Sequence, residues 1–438
     1  MSNSSRTAVR RRSAVAAVSC ALCLGVAAPM ALATTPVPTA AQSSLDALIA
    51  DGTVTWEPGG TDTAPSAKLE NLIKAGSAPT VVVVTPGTDD TGLHPRVDGL
   101  VGPNDAAYVN YPESFGPIIT GKADTALGLP LLAPGYQSSA DVATAGNLAV
   151  MAALQNYGGT VVYTGYSQGS EALGNAAEQA AEQGKLGENS VIVLVSDPRG
   201  PWGLKGWAGD LPLGNVWLTP ILGVLDIDNN GARDPGKTGD AQVVAVIVAG
   251  DPVSDWQFRW YRPASSLLVN AAGFLAIHSQ ADGQYANLDE LGKPTVMYSA
   301  DGNTTYLVYD TEHPLALVNA QLYDALGIDY DADDLARWDR QAELFYKLDT
   351  PGTENTRGGV QVTQDDPRPA EPVPVAEIST ELYHGKHRLE DQSPVTPPVT
   401  PPETPPETPP ETPETPAAPV LSESANFQVV EQPGAELE

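Results

Sequence analysis

The sequence predicts an α/β fold around a mostly parallel central sheet. Three observations predict it. Short, continuous runs of β-branched and apolar residues recur at 80–84, Thr160–Tyr166, Ser190–Val195 and 242–249. Runs of this kind mark strands buried on both faces, as in a parallel sheet. Stretches with helical spacing of apolar residues separate them, which implies right-handed strand–helix–strand crossovers. The third observation is local. Thr160-Val161-Val162-Tyr163-Thr164 runs directly into Gly165-Tyr166-Ser167-Gln168-Gly169, and an Ala-rich helical stretch follows at 171–183. That is a strand, a sharp turn and a helix, in that order.

Residues 1–33 read as an export leader. Arg6, Arg10, Arg11 and Arg12 make a positive start, 14–28 is apolar, and Ala31-Leu32-Ala33 resembles a cleavage site. The apolar part is too short and too rich in Ala for a membrane anchor. Cys20 and Cys23 both lie in this leader, so the exported chain is expected to hold no disulfide and no thiol chemistry. The folded region is expected at 43–388. Within it 43–51 and 68–75 read as short helices. Residues 80–84 read as a buried strand ending in Thr85-Pro86-Gly87-Thr88, and 108–111 as a second short strand. The stretch 139–157 reads as a helix capped by Ser139, with Val142, Leu148, Met151 and Leu154 at helical spacing. After the central turn come the strands at Ser190–Val195 and 242–249, a helix at 265–277 and a strand at 305–309. Residues 389–438 read as a tail. Its 394–419 segment repeats Pro-Pro-Glu-Thr and similar units, a composition that favours an extended spacer.

The formal net charge is −31, and the leader contributes arginines but no acid. Such an acidic chain argues against nucleic acid and anionic headgroups as partners. It fits an exported or wall-associated protein, with the Pro-rich tail as a means of wall association and with no transmembrane anchor.

The central turn carries the chemistry. Gly-x-Ser-x-Gly between a strand and a helix holds the serine in a strained conformation with its hydroxyl exposed, and Ser167 is therefore the candidate nucleophile. The backbone N–H of Gln168, at the helix N-terminus, is the candidate donor to a developing oxyanion. Ligands of parallel sheets sit at the carboxyl ends of the strands. Thr88, Asp197 and Asp251 share that edge with Ser167. Asp251 directly follows the second strand after the serine strand and is the first choice for a triad acid, with Asp255 next and Asp197 third. Among His94, His278, His313, His384 and His387, the order Ser…Asp…His leaves His278 and His313. His278 opens a polar loop, which suits an exposed catalytic base. His313 precedes Pro314, a common helix-entry arrangement.

A separate signal lies at 226–234. Asp226, Asp228 and Asn230 alternate ahead of Gly231 and Asp234, like the first part of a calcium-binding loop. The twelfth position is Lys237 rather than Glu, so the expectation is a partial, structural calcium site. No cofactor is expected for catalysis.

With these residues in view, 81–317 resembles the PE-PPE domain serine hydrolases of mycolate-producing actinobacteria, relatives of cutinases. The resemblance rests on Tyr-Val-Asn-Tyr-Pro-Glu-Ser-Phe at 108–115, Gly-Tyr-Ser-Gln-Gly, Gly-Asp-Pro-Val-Ser-Asp-Trp at 250–256, and Thr-Thr-Tyr-Leu-Val-Tyr-Asp-Thr-Glu-His-Pro-Leu at 304–315. It implies a cutinase-like α/β-hydrolase fold and a Ser-Asp-His triad of Ser167, Asp251 and His278. It also implies that Thr88 completes the oxyanion hole. The implied chemistry is hydrolysis of acyl esters, or acyl transfer onto trehalose glycolipids of a cell envelope. The chain departs from cutinases in lacking their disulfides.

Overall fold

A computed structural model describes residues 39–59, 80–90, 101, 104–123, 125, 129–211, 226–279, 291–300 and 303–367. The leader at 1–33, the helix expected at 68–75, His94, His384, His387 and the tail at 389–438 lie outside the described residues.

Among the described residues, nine strands form one sheet. They are β1 (Val54–Glu57), β2 (Thr80–Thr85), β3 (Asp105–Val109), β4 (Thr160–Tyr166), β5 (Ser190–Val195), β6 (Gln242–Val248), β7 (Thr295–Ser299), β8 (Thr304–Tyr309) and β9 (Val362–Thr363). Their spatial order is β1-β3-β2-β4-β5-β6-β8-β7-β9. The inner six, β3 to β8, run parallel. β1 and β7 run antiparallel to the inner strands they pair with, and β9 pairs antiparallel with β7. The helices are α1 (Thr39–Ala50), α2 (Tyr136–Leu154), α3 (Gln168–Glu182), α4 (Leu204–Asp210), α5 (Pro263–Gly273), α6 (Pro314–Leu326) and α7 (Ala332–Phe345).

The strand runs are apolar at every position because both faces are covered. Alternate residues enter different cores. Val81, Val83, Val161, Tyr163, Ile192 and Leu194 pack on one face against α2 and α3. Val82, Val84, Val162, Val193, Val246 and Val248 pack on the other, beneath Ile277 and Leu317. Strand order reverses between β2 and β4, and a parallel sheet opens a crevice where its order reverses.

Several elements differ from expectation. α2 begins at Tyr136 rather than at a Ser139 cap, because Asp226 caps it from a distant segment. Asp226 Oδ2 accepts from Ser138 N (2.9 Å) and Ser138 Oγ (2.7 Å), and its backbone oxygen accepts from Gln137 N. Ser139 is instead buried, its Oγ accepting from Ser114 N at 3.1 Å. β3 occupies Asp105–Val109 rather than 108–111. Asn110 ties to the turn before β1 through Thr53 O and Gly52 O, and Pro112 has no N–H for a ladder. β1, β7, β9, α4 and α7 were not anticipated; the strands among them lie at the sheet's edges and are short.

Two glycines let the chain turn at the end of β4. A Cβ on Gly165 would lie 2.7 Å from Gly169 O and 2.8 Å from Ser170 Cα. A Cβ on Gly169 would lie 2.0 Å from Pro86 O and 2.4 Å from Thr85 O. These neighbours are backbone atoms and cannot swing aside. Gly169→Ala is therefore expected to destabilise the fold by about 2 kcal/mol or more. Urea unfolding measures this, and an unchanged midpoint would contradict the packing described.

Candidate active site

Ser167 links β4 to α3 with φ +54° and ψ −119°. This region costs a non-glycine residue on the order of 1–3 kcal/mol and persists only where the surroundings enforce it. Here Ser167 N donates to Val195 O on β5 (3.0 Å), and the two glycines admit the neighbouring backbones. The serine is half-buried at the sheet's carboxyl edge.

His278 approaches from the far end of α5. Ser167 Oγ lies 2.9 Å from His278 Nε2. On the other side of the ring, His278 Nδ1 lies 3.0 Å from Asp251 Oδ1. A proton on Nδ1 is thus held by the carboxylate, and Nε2 is left to accept from the serine hydroxyl. Asp251 is fully buried directly after β6. Burial pushes its carboxyl up, but the imidazole together with hydrogen bonds from Ser196 and Val253 N outweighs it and holds the group below the usual range.

The base is not on an exposed loop, as expected, but nearly buried in a helical segment. α5 continues into one wider π turn, Phe274–His278, closed by Ser279 N donating to Phe274 O at 2.8 Å. The preceding exposed positions of α5 recur at helical spacing, and His278 would continue them toward solvent in a regular helix. The wider turn shifts the phase and aims the ring inward. Phe274 stacks on it, with ring centroids 5.3 Å apart.

The alternatives are occupied elsewhere. Asp255 Oδ2 accepts from Gly250 N at 2.7 Å and braces the turn that carries Asp251. Burial raises the Asp255 carboxyl well above its ordinary value, with the Asp251 charge adding to that and the Gly250 hydrogen bond opposing it. Asp197 pairs with Arg233 Nε at 2.9 Å. His313 is a buried cap of α6. Its Nδ1 accepts from Leu315 N (3.1 Å) and its Nε2 lies 2.8 Å from Tyr346 O.

At the oxyanion side, the backbone N–H of Gln168 has no acceptor among the described residues. The Gln168 side chain is buried and acts as a brace. Its Nε2 donates to Ser114 O (3.1 Å) and Tyr136 O (2.9 Å), and its Oε1 accepts from Thr88 Oγ1 (3.2 Å). The Thr88 hydroxyl is thus turned to Gln168, not to an open oxyanion position. Gly87 brings the loop close, since a Cβ there would lie 3.4 Å from Ser167 Cβ.

Three contributors were missed in the sequence. Ser196, at the end of β5 with φ +57°, donates to Asp251 Oδ2, and its Oγ lies 3.2 Å from His278 Nδ1. Ser254 Oγ also donates to Asp251 Oδ2 (3.0 Å). The signal for Ser196 was its place at the carboxyl end of the strand beside the serine strand. Glu113 is fully buried in the loop after β3, with φ +50°, and its backbone oxygen accepts from Asp89 N.

The expected calcium ligands are not brought together. Asp226 caps α2, Asp234 Oδ1 accepts from Gly236 N (3.0 Å), and Asp228 and Asn230 are exposed. Among the described residues no group of three His, Cys, Asp or Glu side chains is arranged to hold a metal ion. The segment is fixed by Arg233, whose guanidinium reaches Asp197 and Glu178 (2.8 Å).

No known family model matches this chain, and no curated protein matches it in sequence. Solved structures with a similar arrangement include a type II thioesterase of the yersiniabactin biosynthetic pathway, 9% identical over 66% of this chain and 99% of its own, TM-score 0.28. An alpha-beta hydrolase from Vibrio vulnificus is 11% identical over 66% of this chain and 86% of its own, TM-score 0.27. A lipase-esterase related protein from Clostridium acetobutylicum is 11% identical over 63% and 98%, TM-score 0.25. The chain has the α/β-hydrolase fold. That assignment rests on its own strand order and on the turn after β4, and the reading of the site rests on its geometry.

Burial pushes the Glu113 carboxyl up to about 7, with Lys122 opposing. A raised carboxyl binds its proton more tightly in the folded chain than in the unfolded one, where the ordinary value is 4.5. Its stabilising contribution is complete below pH 4.5 and is lost as pH rises through 7. Relative to Glu113→Gln, the wild-type chain should lose up to about 3 kcal/mol of stability between pH 4.5 and pH 8. Urea unfolding across that range checks it, and parallel pH dependences would contradict it.

Proposed function

We propose that this chain is a serine hydrolase that cleaves acyl esters through Ser167, His278 and Asp251. The observation that carries the reading is the continuous hydrogen-bonded line from Ser167 Oγ through both imidazole nitrogens to a buried carboxylate. His278 Nε2 takes the serine proton as Oγ attacks the acyl carbonyl. The N–H of Gln168, at the N-terminus of α3, supports the oxyanion, and the backbone of the Thr88 loop is its second candidate donor. The tetrahedral intermediate collapses as His278 returns the proton to the departing alcohol. Water, or a sugar hydroxyl in the transfer variant, then attacks the acyl-enzyme with His278 again as base.

Within this reading the substrates are acyl esters of cell-envelope lipids, and the family is that of the PE-PPE, cutinase-like hydrolases. Support comes from the sequence likeness at 108–115, 250–256 and 304–315. The leader at 1–33 supports export, and the Pro-rich tail supports retention at the wall. Among the described residues no helix is long and apolar enough to cross a membrane.

Ser167→Ala should lower p-nitrophenyl butyrate turnover by about 10⁴-fold or more and abolish labelling by a fluorophosphonate probe. Retained turnover or labelling would refute the assignment. Ser196→Ala should lower kcat about tenfold with KM within about twofold, because a buried carboxylate loses a donor and orients the imidazole less well. A change confined to KM would count against this role.

A further inference from the structure

We infer that the outer face of α5 and its π turn docks on an uncharged lipid surface, the phase in which acyl esters are presented. The inference rests on the ester-cleaving reading for its purpose.

The helix does not divide its polarity in the usual way. Its inward side mixes Val269 and Ala272 with Ser266, Asn270 and Gly273. Ser266 Oγ donates to Arg262 O (3.1 Å), and Asn270 exchanges hydrogen bonds with the backbone of Gln257. A Cβ on Gly273 would lie 2.1 Å from Gly250 O, so the helix sits hard against the turn that carries Asp251. The outward side carries Leu267, Leu268, Ala271, Phe274 and Leu275, and all are exposed. Leu267 is 58% exposed, Leu268 51% and Leu275 54%. An ordinary surface helix puts its polar residues there.

The stripe is about 16 Å long at 1.5 Å per residue from Ala264 to Leu275. Trp260, 82% exposed, and Tyr261 stand just before it, the two residue types that settle at lipid–water boundaries. A contiguous exposed apolar patch marks an interaction surface.

Charge selects the occupant. From Pro263 to Ser279 no residue is Asp, Glu, Lys or Arg, in a chain of net charge −31. The two nearest cations stand over aromatic rings, Arg259 above Tyr346 (5.0 Å) and Arg262 above Phe345 (5.1 Å). An anionic surface would repel the acidic chain, whereas a neutral or zwitterionic one accepts a charge-free apolar stripe without that penalty. The stripe also leads to the chemistry, because Phe274 on it stacks against His278.

The test uses the full-length chain and its Leu267→Glu/Leu268→Glu variant. Both are sedimented with phosphatidylcholine vesicles containing dioleoylglycerol and with phosphatidylglycerol vesicles. Both are also assayed on soluble p-nitrophenyl butyrate. The wild-type chain should sediment with the neutral vesicles. The variant should lose at least about tenfold in partitioning while keeping its soluble turnover. Should the double variant fail to fold, Trp260→Ala serves instead, with a severalfold loss expected. Equal partitioning of wild type and variant would overturn the inference, as would binding of the wild type to the anionic vesicles alone. Light scattering gives a further arm: a wild-type dimer that the double substitution splits would assign the face to a second copy and overturn it. If the wild type sediments but shows no ester turnover, the ester reading falls and the docking face stands.

Discussion

Three backbone segments are forced into contact at the end of β4, and the site depends on that contact. The end of β2, the serine turn and the first turn of α3 approach within distances that exclude a Cβ at Gly165 and Gly169. This closeness, together with the Ser167 N–H donated to Val195 O, sustains the positive φ of Ser167. It also fixes the N-terminus of α3, where the Gln168 N–H has no acceptor among the described residues while the Gln168 side chain ties the segments at Thr88, Ser114 and Tyr136 together. A single residue thus offers its backbone to the site and uses its side chain to hold the walls.

Buried charge is distributed so that each acid has a distinct task. Asp197 and Glu178 neutralise Arg233, and Glu171 pairs with Lys205 beside Tyr136. Breaking such buried pairs leaves an uncompensated charge, so they anchor α4 and the 226–241 segment to α3. Asp251 is left to the imidazole and to two serine hydroxyls. An aspartate already matched to a guanidinium could not orient a histidine, which is why Asp197, although it follows a neighbouring strand, lies outside the proposed triad.

What could be read from the sequence follows from how local each signal is. The parallel strands and the serine turn are set by contiguous residues, so β4, β5 and β6 fall where the apolar runs place them. Asp251 and Asp255 share one short segment after the same strand, and position alone favours Asp251 only slightly. They are separated by Asp255 folding back onto Gly250 N, which only coordinates reveal. His313 fits its helix-entry pattern before Pro314, whereas the place of His278 within a helix was hidden because a π turn leaves no residue signature. The spacing at 226–234 misled for a physical reason. Side-chain oxygens that gather a cation are the same ones that cap helices and close Asx turns, and here they do the latter. Ser196 was passed over because its role arises from Asp251 and His278, which only the fold brings beside it.

The widened turn at the end of α5 separates two demands that a uniform helix would join. In a regular helix the residue after Leu275 at the same spacing would share the orientation of the leucines, so an outward apolar face and an inward imidazole could not follow each other. One extra residue in the winding uncouples them. The surface of this helix is thereby free to vary in composition without redirecting the ring, while the ring's aim is set by the winding alone.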